Sequence, residues 1–217
     1  MTQDPHRITS TAQLMALYPA PAARTRTKIR DRLDPGTAAL LSASTFVLLA
    51  TADGDGRCDV SPRGGPAGFV KVLDDNRVAV PDLNGNHLLD SLQNLLANPH
   101  AALLVVIPGQ DETLRLEGSA SVTTAPDVLD LFVGELRRPT TAVVIEVLSV
   151  YTHCAKAFRR GGMWDPVSWV AFERSPFLAA RHGQLRHDGL TDESLDEYAA
   201  TNEGKIGVDL AADAPIA

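Results

Sequence analysis

The sequence predicts a mainly β protein with peripheral helices, and three observations carry that reading. Thr45–Thr51 is a continuous β-prone run of the kind that forms a buried strand. Tight-turn signals separate the short apolar runs. The strongest is Asp53-Gly54-Asp55-Gly56, because aspartate–glycine pairs tolerate the positive φ angles of a hairpin. Parallel βαβ repetition is missing and no GxGxxG follows a strand. Many short strands joined by turns point instead to a small barrel or sandwich, and closure into a barrel removes exposed sheet edges.

The elements follow in order. Residues 1–43 read as helices and turns, with a helical stretch at Thr11–Leu17 broken by Pro19 and Pro21, and another at Thr37–Ser42 after the Pro35-Gly36 turn. Between them, Arg24, Arg26, Lys28, Arg30 and Arg32 alternate with other residues, as a solvated helix face or a phosphate patch would. Arg57–Arg63 is the return strand of the first hairpin. Phe69–Leu73 and Arg77–Val80 flank Asp74-Asp75-Asn76 as a second hairpin. Leu88, Leu89, Leu92, Leu95 and Leu96 share one face of a helix that ends before Asn98-Pro99. Ala101–Ile107 and Thr113–Val122 are strands. Thr124 reads as the N-cap of a helix carrying Leu129, Phe132, Val133 and Leu136, and Ala142–Val150 is the last strong strand. The strand count is six. The domain reading is a helical segment over 1–43, the β domain over 44–172, and a loosely structured extension over 173–217.

Composition excludes some functions. A net charge of −7 argues against a general nucleic-acid face, which must be basic. No apolar run approaches the ~20 residues a bilayer span needs, so no membrane role is expected. Met1–Arg7 holds no apolar signal core, and the expected compartment is the cytoplasm. Cys58 and Cys154 lie far apart and outside any CxxC pattern, and no histidine pairs with a second ligand at metal spacing, so no metal is expected.

Three segments could carry chemistry. Asp59-Val60-Ser61-Pro62-Arg63-Gly64-Gly65 closes a strand with a hydroxyl, a guanidinium suited to phosphate, and glycines that admit a close ligand. Taken alone it could equally be an ordinary strand exit. Pro81–Ser91 is a polar loop entering a helix, whose unpaired N–H groups suit an anion or are simply capped by Asn84 or Asn86. Thr152–Trp164 brings Lys156, Arg159 and Trp164 together, two cations and a ring that can stack.

In combination, these segments resemble one group of flavoproteins. The run Ala50–Gly64, then Gly68–Asp74, Asn84-Gly85-Asn86 with Asp90–Asn94, Glu112–Gly118 and His153–Ala157 is similar to the pyridoxamine 5′-phosphate oxidase-related FMN-binding split-barrel proteins over about residues 10–170. The resemblance implies a six-stranded antiparallel split barrel of Greek-key character. It also implies a homodimer with FMN in a groove between subunits and a small-molecule substrate. Ser61 and Arg63 would contact the cofactor, with Asn86 and Ser91 near its phosphate and ribityl chain. Arg115, Lys156 and Trp164 match positions near the site, supplied from the partner subunit.

The match departs from the vitamin B6 oxidases proper. Anchored on Asn98-Pro99, Ser91 stands where they have a lysine, and Leu88 stands where close relatives have an arginine. Their terminal substrate-binding arginine and histidine motif is not evident, so the expected substrate is not pyridoxamine phosphate. The leading expectation is an FMN-dependent oxidoreductase. The alternatives are a flavin-binding or stress-related protein without turnover, or a split barrel holding deazaflavin or haem.

Overall fold

Alternation of apolar and polar residues decides which side of each strand faces the core. In β1 (Phe46–Ala52), Val47, Leu49 and Thr51 are buried while their neighbours are only partly covered. The computed structural model describes residues 4–85, 87–172 and 192–215, with Phe177 and Gly189. It forms an antiparallel split barrel from one sheet of seven strands in the order β2-β1-β5-β6-β7-β4-β3.

The strands are β1, β2 (Cys58–Gly64), β3 (Lys71–Val72), β4 (Arg77–Pro81), β5 (His100–Val106), β6 (Thr113–Thr123) and β7 (Ala142–His153). β1–β2 and β3–β4 are the two expected hairpins. The chain then returns to lay β5 beside β1, and β4 pairs with β7, which gives the Greek-key character. The count is seven rather than six because Lys71–Val72 makes a separate two-residue strand. Most of the expected Phe69–Leu73 run is not ladder: Phe69 and Val70 are buried core residues instead.

The sheet bends where β6 crosses β7. Their register shifts between Glu117 and Gly118. A Cβ at Gly118 would lie 1.8 Å from the Glu146 carbonyl oxygen, so only glycine allows this approach. The bend wraps the sheet around one core containing Leu49, Phe69, Leu103, Leu116, Phe132 and Ile145. Burying each such side chain stabilises the fold by roughly 1.5–3 kcal/mol.

The helices differ in detail from expectation. α1 (Thr11–Met15) starts from a Ser10 capping box, α2 spans Ala23–Thr27, and α3 (Pro35–Ala43) starts from an Asp34 capping box with Thr37. The basic stretch beyond α2 is fastened to β7. Arg30 exchanges backbone hydrogen bonds with Val150, and Lys28 Nζ donates to the Thr152 carbonyl at 2.7 Å. α4 spans Asp90–Ala97, two residues shorter at its start than the leucine spacing suggests. Leu92 and Leu95 are buried, whereas Leu88, Leu89 and Leu96 are exposed. α5 is only Pro126–Leu129, capped at Ala125 rather than Thr124, and a 3-10 turn at Asp130–Phe132 follows. α6 is Lys156–Arg160. Among its described residues, the extension carries α7 (Asp192–Asp213). The polar stretch Ala179–Asp188 lies outside the described residues. Both cysteines are free and exposed. Among the described residues, no helix is long and apolar enough to cross a membrane.

Candidate functional site

β2 is an edge strand, paired only with β1 in the sheet order, so its outer backbone groups stay outside the ladder. Its residues alternate, with Asp59, Ser61 and Arg63 half-buried and Val60 and Pro62 exposed. The register sets Thr51 against Asp59, Leu49 against Ser61 and Val47 against Arg63. Directly opposed residues share a face, so the three polar side chains of β2 extend the core-facing side of β1 to the sheet edge.

There they meet the loop from Asp82 to Asp90 and enclose a cavity of about 410 Å³. Arg63 Nη1 donates to Asp82 Oδ1 at 3.1 Å, with the two side chains 22% and 20% exposed. Arg63 Nε is buried and has no hydrogen-bond partner among the described residues. A buried guanidinium donor left open is costly, and because Nε is out of contact with solvent an acceptor would be gained there only with a shift of the Arg63 side chain. Ser91, buried at the start of α4, donates from Oγ to Asp59 Oδ2 at 3.1 Å.

The entry to α4 is strained. His87 and Leu89 hold φ values of 57° and 59°, a region disfavoured for side chains of this size. Leu89 takes the N-cap position and supplies no side-chain hydrogen bond, and Leu89, Asp90 and Ser91 all line the cavity. Asp59, Asp82 and Asp90 also line the cavity.

These features fit an anionic group such as a flavin phosphate: an open Arg63 Nε, the Ser61 and Ser91 hydroxyls, and a helix start without a cap. The three carboxylates oppose it. Leu88, which replaces a cation expected from the resemblance, is 60% exposed and adds no charge.

One chain brings Ser61, Arg63 and Ser91 together and leaves the other candidates elsewhere. Asn86 lies outside the described residues. Arg115 stands opposite Leu104 and Tyr151 on the other face of the sheet, its Cζ 5.5 Å from the Tyr151 ring centroid. It lines a second hollow of about 400 Å³ with Leu48, Val60, Leu104 and Phe158. Lys156 is exposed in the first turn of α6. Trp164 is committed within the chain. Its Nε1 donates to the Gln110 carbonyl at 2.8 Å and its ring lies 5.9 Å from that of Phe158. Asp59 and Asp82 were not singled out from the sequence. Asp59 could have been, because it shares the two-residue period of Ser61 and Arg63.

Comparison with known proteins places the fold. The family model for pyridoxamine 5′-phosphate oxidase matches residues 33–154. No curated protein matches the sequence. Among solved structures, HupZ from Group A Streptococcus is 15% identical, with a TM-score of 0.46 over 55% of this chain and 93% of that one. A putative pyridoxamine 5′-phosphate oxidase from Lactobacillus delbrueckii is 20% identical, with a TM-score of 0.44 over 56% of this chain and 95% of its own. A pyridoxamine 5′-phosphate oxidase-related, FMN-binding protein from Nostoc punctiforme is 12% identical, with a TM-score of 0.40 over 55% and 84%.

Proposed function

The chain belongs to the pyridoxamine 5′-phosphate oxidase family, and from that premise we propose that it is an FMN-binding oxidoreductase that works as a homodimer on a small molecule other than pyridoxamine phosphate. The observation that supports this most directly is Arg63, whose buried Nε lacks an acceptor at the wall of the 410 Å³ cavity. FMN, when bound, would supply two-electron redox chemistry through its ring system.

The residues of this chain would do the holding. Arg63 would take the phosphate, exchanging part of its contact with Asp82 for it, and the Ser61 and Ser91 hydroxyls would add donors. The second face of the sheet supports the dimer. Val60 is 57% exposed beside the hollow lined by Leu48 and Leu104, an apolar surface that a second copy would cover. Arg115 stands on that face, where it would reach a partner's cofactor, whereas Trp164 is held to Gln110 within its own chain and Lys156 is exposed on α6. The low positive charge around Arg63 disfavours a second phosphate ester in the site, which argues for a substrate without one.

Titration of cofactor-free protein with FMN and riboflavin, followed by flavin fluorescence, tests the reading. FMN should bind more tightly by about 1.5–3 kcal/mol, the worth of hydrogen bonds to a charged group. Equal affinities would remove the phosphate site. The absorption spectrum of the protein as purified, with mass spectrometry of any released ligand, separates FMN from deazaflavin and haem.

A further inference from the structure

Pro62, Arg63, Leu83 and Asn84 are shared walls. They line the cavity already described and also a second one of about 630 Å³. That volume lies within the range of small-molecule sites. The remaining walls of the second cavity include Pro66, Pro81 and Leu136 from the barrel, and Leu210 and Asp213 from α7. The α7 part lies beyond residues 33–154, which match the family. The helix is fastened there at its last residue. The Arg137 N–H donates to the Asp213 carbonyl at 2.8 Å, and the Asn84 N–H donates to Asp213 Oδ1 at 3.3 Å.

The charges around this cavity are unequally committed. Arg63 is paired with Asp82, and Glu135 with Lys71. Asp213 forms none of the ion pairs found among the described residues. Burial holds its carboxyl above the ordinary value, and Asp209 and Asp82 push the same way, against the Asn84 N–H and the charge of Arg137. An apolar slot of proline and leucine thus ends at a carboxylate that a cation would relieve.

We propose that this cavity is a ligand site for a compact organic cation with an apolar body, and that α7 is part of the site as its outer wall. The proposal does not rest on the flavin reading: the two cavities share Pro62, Arg63, Leu83 and Asn84, but the charge it uses is Asp213 rather than Arg63.

Two fluorescent dyes of matched shape and opposite charge test it on the full chain at pH 7.5: 9-aminoacridine and anthracene-9-carboxylate. The cation should bind at least tenfold more tightly. Asp213→Asn keeps the oxygen that accepts from Asn84 and removes the charge, so it should bring the two affinities within about threefold. Leu210→Trp adds bulk from an exposed helix position and should weaken the cation at least tenfold. Circular dichroism confirms that both variants are folded. Equal binding of the two dyes overturns the proposal. So does a preference for the cation that survives both substitutions, which would reflect only the net charge of −7.

Discussion

Arg63 and Asp82 bind each other at the wall of the cavity, Nη1 to Oδ1 at 3.1 Å, so the guanidinium that would receive an anion already has a carboxylate beside it. Asp82 therefore competes with a phosphate and also holds Arg63 in place. Arg63→Ala should weaken FMN binding by about 1.5–3 kcal/mol. Asp82→Asn keeps an oxygen acceptor and lifts the competition, so FMN affinity should rise by about fivefold, close to 1 kcal/mol at the partly screened dielectric of such a site. Fluorescence titration of both variants checks this. Weaker binding in Asp82→Asn would show that orientation of Arg63 matters more than competition.

The exposed face around Val60 gives the proposed dimer its test. Val60→Glu places a charge on a strand position that is 57% exposed, so folding should be preserved. Light scattering should then fall from twice the 23.2 kDa chain mass to that of one chain. A variant that stays dimeric would move the interface elsewhere.

Gly118 should be intolerant of any side chain. Gly118→Ala drives a Cβ into the Glu146 carbonyl at the β6–β7 crossing. The loss of stability should reach the top of the ~1–3 kcal/mol range for overpacking. Urea denaturation measures it, and a near-neutral result would mean that the two strands separate easily at the bend.

Acid should weaken the fold through its turn and cap aspartates. Backbone N–H donors hold the carboxyls of Asp34, Asp53 and Asp74 below the ordinary value of 3.8. A lowered folded pKa adds stability that is present above the ordinary value and disappears as the pH falls through the folded one. Asp34→Asn retains an oxygen that can accept from the Thr37 N–H but does not titrate. Its urea midpoint should drop less than that of the parent chain between pH 5 and about pH 3, below the usual aspartate range. Parallel curves would take Asp34 out of the acid response.

Much of this was legible in the sequence, and the rest was hidden for physical reasons. The Asp53–Gly56 turn and the apolar alternation of β1 predicted the first hairpin, because both are local signals. Ser61 and Arg63 share a face by the two-residue period of a strand. Of their cavity partners, Ser91 came only from the family resemblance, and Asp82 was not legible because it reaches β2 only through tertiary packing. The leucine spacing carried α4 back to Leu88, but His87 and Leu89 adopt left-handed geometry that no rule for bulky side chains anticipates. α7 escaped because little apolar surface secures it. Leu210 is 68% exposed and Val208 is 69% exposed, and the helix is tied down at Asp213 instead.

The strand order also constrains how the chain can assemble during synthesis. β1 and β2 can close as soon as both have emerged, as can β3 and β4. Yet Phe46 must wait for Val106, and Arg77 must wait for Glu146. β5 and β6 can extend the β1–β2 ribbon before β7 is made, but until β7 arrives the β3–β4 hairpin has no further strand to pair with, and isolated hairpins are marginal at best. Loop closure over such distances comes before any reward, so folding is slow relative to local helix formation. The nascent chain is therefore most vulnerable to self-association between the emergence of β4 and that of β7, and a slowed ribosome in that interval lengthens the exposure.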